Sequence, residues 1–177
     1  MKSVKLQLLV TFLAVAATVA IFALKGPPPT MMTREAVIRN DVVQVRRNLA
    51  WVADANAPDE YGVTPLYWAV YYSCRNIVAC LLAGGLDPDA RGGVSRTPLH
   101  CASVYGNEEE AMMLIAHGAD IHARDWAGRT PLHLAARGGK KRMAELLIAG
   151  GADINARDDS GRTPLKAAQN SDVSGCA

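Results

Sequence analysis

The chain has 177 residues, half of them apolar, with 19 basic and 17 acidic side chains. That composition can bury a core and excludes a disordered tail as a description of the whole. Three of the basic residues, Lys2, Lys5 and Lys25, flank one apolar run; taking those three from 19 leaves 16 basic against 17 acidic groups in residues 26–177, and so near-neutral a surface argues against nucleic acid, whose phosphates select basic faces.

Leu6 to Leu24 carries no charge and is interrupted only by the polar side chains Gln7, Thr11 and Thr18. As a helix rising about 1.5 Å per residue, this run would span roughly 28 Å, close to the hydrocarbon thickness of a bilayer and longer than the ~7–15 residues usual in a cleaved signal. Length favours an uncleaved membrane anchor over residues 1–25. A signal peptide stays open, because Met1-Lys2-Ser3-Val4-Lys5 is a basic start, but Ala14-Val15-Ala16 falls in mid-run and a cut after Ala23 puts bulky Ile21 at the −3 position. Lys2 and Lys5 hold the start in the cytoplasm against the competing pull of Lys25, Arg34 and Arg39. The rest of the chain is therefore expected outside the cytoplasm, in the periplasm if the source is bacterial, or secreted after cleavage. Gly26-Pro27-Pro28-Pro29 cannot continue a helix, and residues 26–30 read as a semi-rigid linker.

Beyond the linker one phrase returns every 33 residues: Thr64-Pro65-Leu66-Tyr67-Trp68-Ala69-Val70, Thr97-Pro98-Leu99-His100-Cys101-Ala102-Ser103, Thr130-Pro131-Leu132-His133-Leu134-Ala135-Ala136 and Thr163-Pro164-Leu165-Lys166-Ala167-Ala168. A fixed period of this length means stacked supersecondary units, not one closed globule. The phrase and its period resemble the ankyrin repeat family. The resemblance implies an all-α repeat solenoid, with a helix-turn-helix and a β-hairpin-like finger per 33 residues. It also implies a non-catalytic module that binds another protein through its concave surface.

The domain then runs over 31–177: a capping unit 31–63, full repeats 64–96, 97–129 and 130–162, and a partial repeat 163–177. In the first unit Ala36 falls on the repeat's alanine, Val42, Val45 and Leu49 keep a helical stripe, and Arg34, Glu35, Arg39, Arg46 and Arg47 read as the solvated face of a cap. In the full repeats Thr64, Thr97 and Thr130 can cap a helix whose first residue is proline, where a missing N–H costs nothing. The second helices carry the expected core residues Ile77, Val78, Leu81 and Leu82; Met112, Leu114 and Ile115; and Met143, Leu146, Leu147 and Ile148. Gly85, Gly118 and Gly151 stand where a helix end calls for left-handed backbone. The finger tips Asp59-Glu60-Tyr61-Gly62, Asp125-Trp126-Ala127-Gly128 and Asp158-Asp159-Ser160-Gly161 have Asp first and Gly fourth, a type I turn signature. Gly92-Gly93-Val94-Ser95 breaks the pattern and predicts a looser finger. The last unit offers one helix, Pro164 to Gln169, expected to act as a minimal cap that frays first.

No catalytic, cofactor-binding or metal site is expected. His100 and His133 occupy one slot in adjacent repeats, roughly 8–10 Å apart by helix packing, too far to share a metal whose ligands lie ~2 Å from it. The family resemblance implies that this histidine holds loop geometry through hydrogen bonds. Cys80 and Cys101 read as core thiols, with a bridge between them as the one disulfide worth testing, and Cys176 as the most reactive thiol. By position the partner-binding residues are Tyr61, Arg96, Trp126, Arg129 and Arg162 on the fingers and Tyr71, Tyr72, Tyr105 and Arg137 at the ends of the first helices. Tyr, Trp and Arg dominate interface hot spots because each joins large buried area to directional bonding. Two readings compete: a monomeric membrane-held or exported module that captures a partner protein, or an accessory or inhibitory subunit of an exported enzyme, including a redox enzyme.

Overall fold

The computed structural model describes residues 33–51, 56–92 and 95–169. The apolar run, the linker, Gly93, Val94 and Cys176 lie outside the described residues. Helices come in pairs: α1 Thr33–Ile38 with α2 Val42–Trp51, α3 Pro65–Tyr71 with α4 Arg75–Ala83, α5 Pro98–Tyr105 with α6 Glu108–Ala116, and α7 Pro131–Arg137 with α8 Lys141–Ala149, followed by α9 Pro164–Gln169. Each pair packs on itself. The first helices also stack in one row, α1-α3-α5-α7-α9, and the second helices in another, α2-α4-α6-α8. Among the described residues there is no strand, and the fingers close as hairpin-like turns in which the N–H groups of Asp59, Asp125 and Asp158 donate to the carbonyls of Val63, Arg129 and Arg162 at 2.9–3.0 Å.

The four first helices with a Thr-Pro phrase begin at its proline, Pro65, Pro98, Pro131 and Pro164. Thr64 and Thr97 are extended, at ψ 155° and 163°, and their hydroxyls accept the N–H of Tyr67 and His100 at 3.4 Å. Thr163 does the same for Lys166. Leu66, Leu99, Ala69, Ala102 and Ala135 are all fully buried, and alanine at its position lets neighbouring helices approach without side-chain bulk. Gly85, Gly118 and Gly151 end the second helices at φ 78°, 88° and 96°. A left-handed position that the sequence does not announce lies between the two helices of a pair, where Asn40 and Ser73, both at φ 54°, align with Gly106 and Gly139.

Two expected core residues are not core. Met112 is 52 % exposed and Ile148 49 %. The buried stripe of α6 is Glu110, Ala111 and Leu114, and that of α8 is Met143 and Leu147. Both residues sit on the outer edge of the apolar stripe, where the helix has already turned away from its neighbours; about three positions per two turns face the core, and the next one meets water.

The repeats are tied together by polar links as well as by packing. Asn56 and Asp89 accept the backbone N–H of Asp87 and Asp120 in the following unit, Asn107 donates its amide to the Val70 carbonyl at 2.7 Å, and Arg75 pairs with Glu109 at 2.9 Å. These links set the spacing of the first-helix ends and the fingers, and so the shape of the face they share.

Candidate protein-binding face

Each regular finger is built by its leading aspartate. The Asp125 Oδ1 atom accepts the N–H groups of Ala127 and Arg129, and its Oδ2 accepts the Arg129 guanidinium at 2.7 and 3.0 Å; Asp158 does the same with Ser160 and Arg162, and Asp59 holds Tyr61 and Val63. A turn closed this way needs left-handed backbone at its fourth residue, and Gly62, Gly128 and Gly161 supply φ of 70–72°. Burial alone would raise the Asp125 carboxyl, but the Arg129 side chain and the two amides outweigh it and hold it below the usual carboxylate value. The same balance acts on Asp158.

His100 and His133 bind each first helix to the next finger. The Nδ1 atom of His100 accepts the Thr97 N–H at 3.3 Å, so its proton sits on Nε2, which donates to the Arg129 carbonyl at 3.0 Å; His133 repeats this with Thr130 and Arg162. Burial pushes the His100 imidazole down to about 4, and it stays neutral. The expected structural role of this histidine holds.

The second repeat departs from the others in three coupled places. Tyr67 replaces the histidine, and a Cβ added at Gly92 would lie 2.8 Å from the Tyr67 ring. The aspartate of the regular finger therefore does not fit at 92. Without it Arg96 has no carboxylate four residues before it; it approaches Asp125 of the next finger at 3.6 Å, and its buried Nε makes no hydrogen bond among the described residues. The Tyr67 ring thus occupies the place of the missing finger aspartate.

An aromatic strip occupies the ends of the first helices. The Tyr71 ring meets Tyr105 edge-on at 5.1 Å and Tyr72 at 5.0 Å, and Tyr72 stacks on Trp68 at 5.7 Å. Trp68 donates its indole N–H to Asp59 at 2.7 Å, and the Arg34 guanidinium lies over both Trp68 and Tyr61. Tyr71, Tyr72 and Tyr105 remain 39–48 % exposed and Tyr61 60 %. Trp126 stands apart on its finger at 65 %, with the Arg129 guanidinium 5.5 Å from its ring.

Residues 61–93 match the family described as "Ankyrin repeat", 99–148 "Ankyrin repeats (many copies)" and 124–176 "Ankyrin repeats (3 copies)". The chain belongs to the ankyrin repeat family. No curated protein matches it. Ankyrin repeats generally mediate binding between proteins. Among the described residues no helix is long and apolar enough to cross a membrane, and no group of three or more His, Cys, Asp or Glu side chains is placed to hold a metal ion.

Within this ankyrin face the expected binding residues divide by their duties. Tyr61, Tyr71, Tyr72, Tyr105, Trp126 and Arg137 are exposed. Arg129 is 11 % exposed and committed to Asp125, and Arg162, 40 % exposed, to Asp158, so both first serve their own fingers. Arg34 and Trp68 belong to the face although the sequence placed Arg34 on a solvated cap; its charge hid the fact that a planar guanidinium stacks on aromatic rings. Cys80 lies against Arg46 and Cys101 against Tyr67, on different neighbours, and both are free thiols. Burial pushes the Cys101 thiol up to about 12, which keeps it unreactive. Trp126→Ala should shift the thermal midpoint by less than about 2 °C, since an exposed side chain contributes little to stability. Arg129→Ala should lower it clearly by leaving the buried Asp125 short of its partner. A scanning calorimeter decides, and equal effects would refute the division.

Proposed function

We propose that this chain captures a partner protein on the face formed by its aromatic strip, with Trp126 as a second anchor. The observation that carries this is the contact of Tyr71 with both Tyr72 and Tyr105 while each ring stays 39–48 % exposed. Singly exposed apolar residues are ordinary, but contiguous rings held rigidly in water are the composition of an interface core and lose little entropy when covered. The apolar run from Leu6 to Leu24 supports a membrane tether for the domain, with the repeats outside the cytoplasm.

The test is cross-linking of the full chain in its native membranes, comparing the wild type with Tyr71→Ala/Tyr105→Ala. Two hot-spot aromatics are each worth about 2 kcal/mol, so the captured band should fall at least about tenfold at a temperature where circular dichroism shows both proteins folded. Undiminished capture by the double variant rejects this face. Mass spectrometry of the same band reports whether residues 1–25 stay attached.

A further inference from the structure

The surroundings of Arg96 point to the chemistry of what binds there. Three arginines occupy equivalent finger positions. Arg129 and Arg162 each hold a carboxylate supplied four residues earlier, by Asp125 and Asp158, at 2.7 and 2.8 Å. Arg96 has Gly92 at that place, and the Tyr67 ring forbids a side chain there. Its guanidinium makes no hydrogen bond among the described residues, and its Nε is buried without a partner. The carboxylate it approaches, Asp125, lies 3.6 Å away and is already filled by Arg129 and two amides. That Nε faces Asp125 and is closed to solvent, so an incoming acceptor would meet the exposed remainder of the guanidinium, which also has no hydrogen bond among the described residues. The side chain is still one-quarter exposed, and its charge acts on Tyr105 of the aromatic strip.

We infer that Arg96 receives a side-chain carboxylate, an Asp or Glu of the partner protein, in place of the one its own finger lacks. This rests on the aromatic strip being the binding face, and it adds that the bound segment carries an acidic residue next to the apolar groups covering Tyr71 and Tyr105. A carboxylate is the fit because the two equivalent arginines already hold one in the same local frame, and charge-assisted pairs of this kind are short and directional. The neighbouring Asp125 is fully buried and meets Arg96 only from the inside, through Nε at 3.6 Å, which leaves the exposed side of the guanidinium to a partner.

The probe is N-acetylglutamate amide, which carries one side-chain carboxylate, added to the nitrogen-15-labelled full chain in detergent while the arginine Nε–Hε resonances are followed. The Arg96 resonance should move and saturate, with Arg129 and Arg162 unmoved and the glutamine counterpart of the probe without effect. Tyr67→His/Gly92→Asp restores the regular finger, so it should abolish the Arg96 response and raise the thermal midpoint. In the cross-linking assay Arg96→Gln should weaken capture about tenfold in the wild-type background and not in that double variant. An Arg96 resonance that moves no more than those of Arg129 and Arg162, or that saturates at lower inorganic phosphate than probe, overturns the inference. If capture still depends on Tyr71 and Tyr105 while Arg96 is silent, the face stands and the carboxylate falls; if capture ignores the tyrosines, the face itself falls.

Discussion

Replacing Asp125 by alanine is expected to destabilise the domain by about 3–5 kcal/mol, well beyond the cost of the equivalent Asp158→Ala. The two aspartates have the same local turn and the same local arginine, so a sequence comparison would rate them equal. Their surroundings differ. The Asp125 carboxylate is fully buried, bonded to Arg129 at 11 % exposure, and is the anion that Arg96, at 25 % exposure, approaches. Removing it leaves two poorly hydrated cations and two free amides. Around Asp158 there is one such cation among the described residues, and Arg162 is 40 % exposed, so water can take over much of the lost interaction. Urea midpoints for both variants measure the difference, and equal losses would show that Arg96 gains nothing from Asp125.

Lowering the pH from 6.5 to about 4 should cost the domain on the order of 3 kcal/mol through His100 alone. In the unfolded chain this imidazole takes up a proton near 6.5, whereas in the fold burial delays that to about 4. Between those values the unfolded state binds more protons, so the contribution is fully present above pH 6.5 and is lost as pH falls towards 4. Below that, protonation of Asp125 and Asp158, both held under the usual carboxylate value, removes more. His100→Leu should lower stability at neutral pH by about 2 kcal/mol, since the Thr97 N–H and the Arg129 carbonyl lose their partner, and should flatten the dependence between pH 6.5 and 4. An unchanged slope in denaturant titrations at several pH values would place the titrating group elsewhere.

Much of the fold is legible in the sequence because its signals are local. A Thr-Pro start, a glycine at a left-handed helix end and an aspartate turn each depend on fewer than about five consecutive residues, and each stands where the 33-residue period puts it. The differences arise where a residue's neighbour lies in another repeat. Met112 and Ile148 follow the helical stripe well enough to pass for core, and only the position of the adjacent helices leaves them wet. Arg34 looks like a cap charge until Tyr61 and Trp68 are brought under it.

The candidate face is readable along the chain as a set of positions but not as a distribution of duties. Trp126 has its expected exposure, whereas Arg129, predicted beside it as a contact residue, is spent on its own finger.

By itself the amino-acid sequence determined the period, the helix starts, the turn chemistry and the family, since these depend on residues near one another along the chain. The tertiary structure alone decided the rest: that the Tyr67 ring fills the space over Gly92, that Arg96 is thereby left without a carboxylate of its own, and that Tyr71 and Tyr105, more than 30 residues apart in sequence, share one edge. Those relations join successive repeats. Stacking fixes them at a distance of one packed helix, and no reading along a single repeat contains that distance.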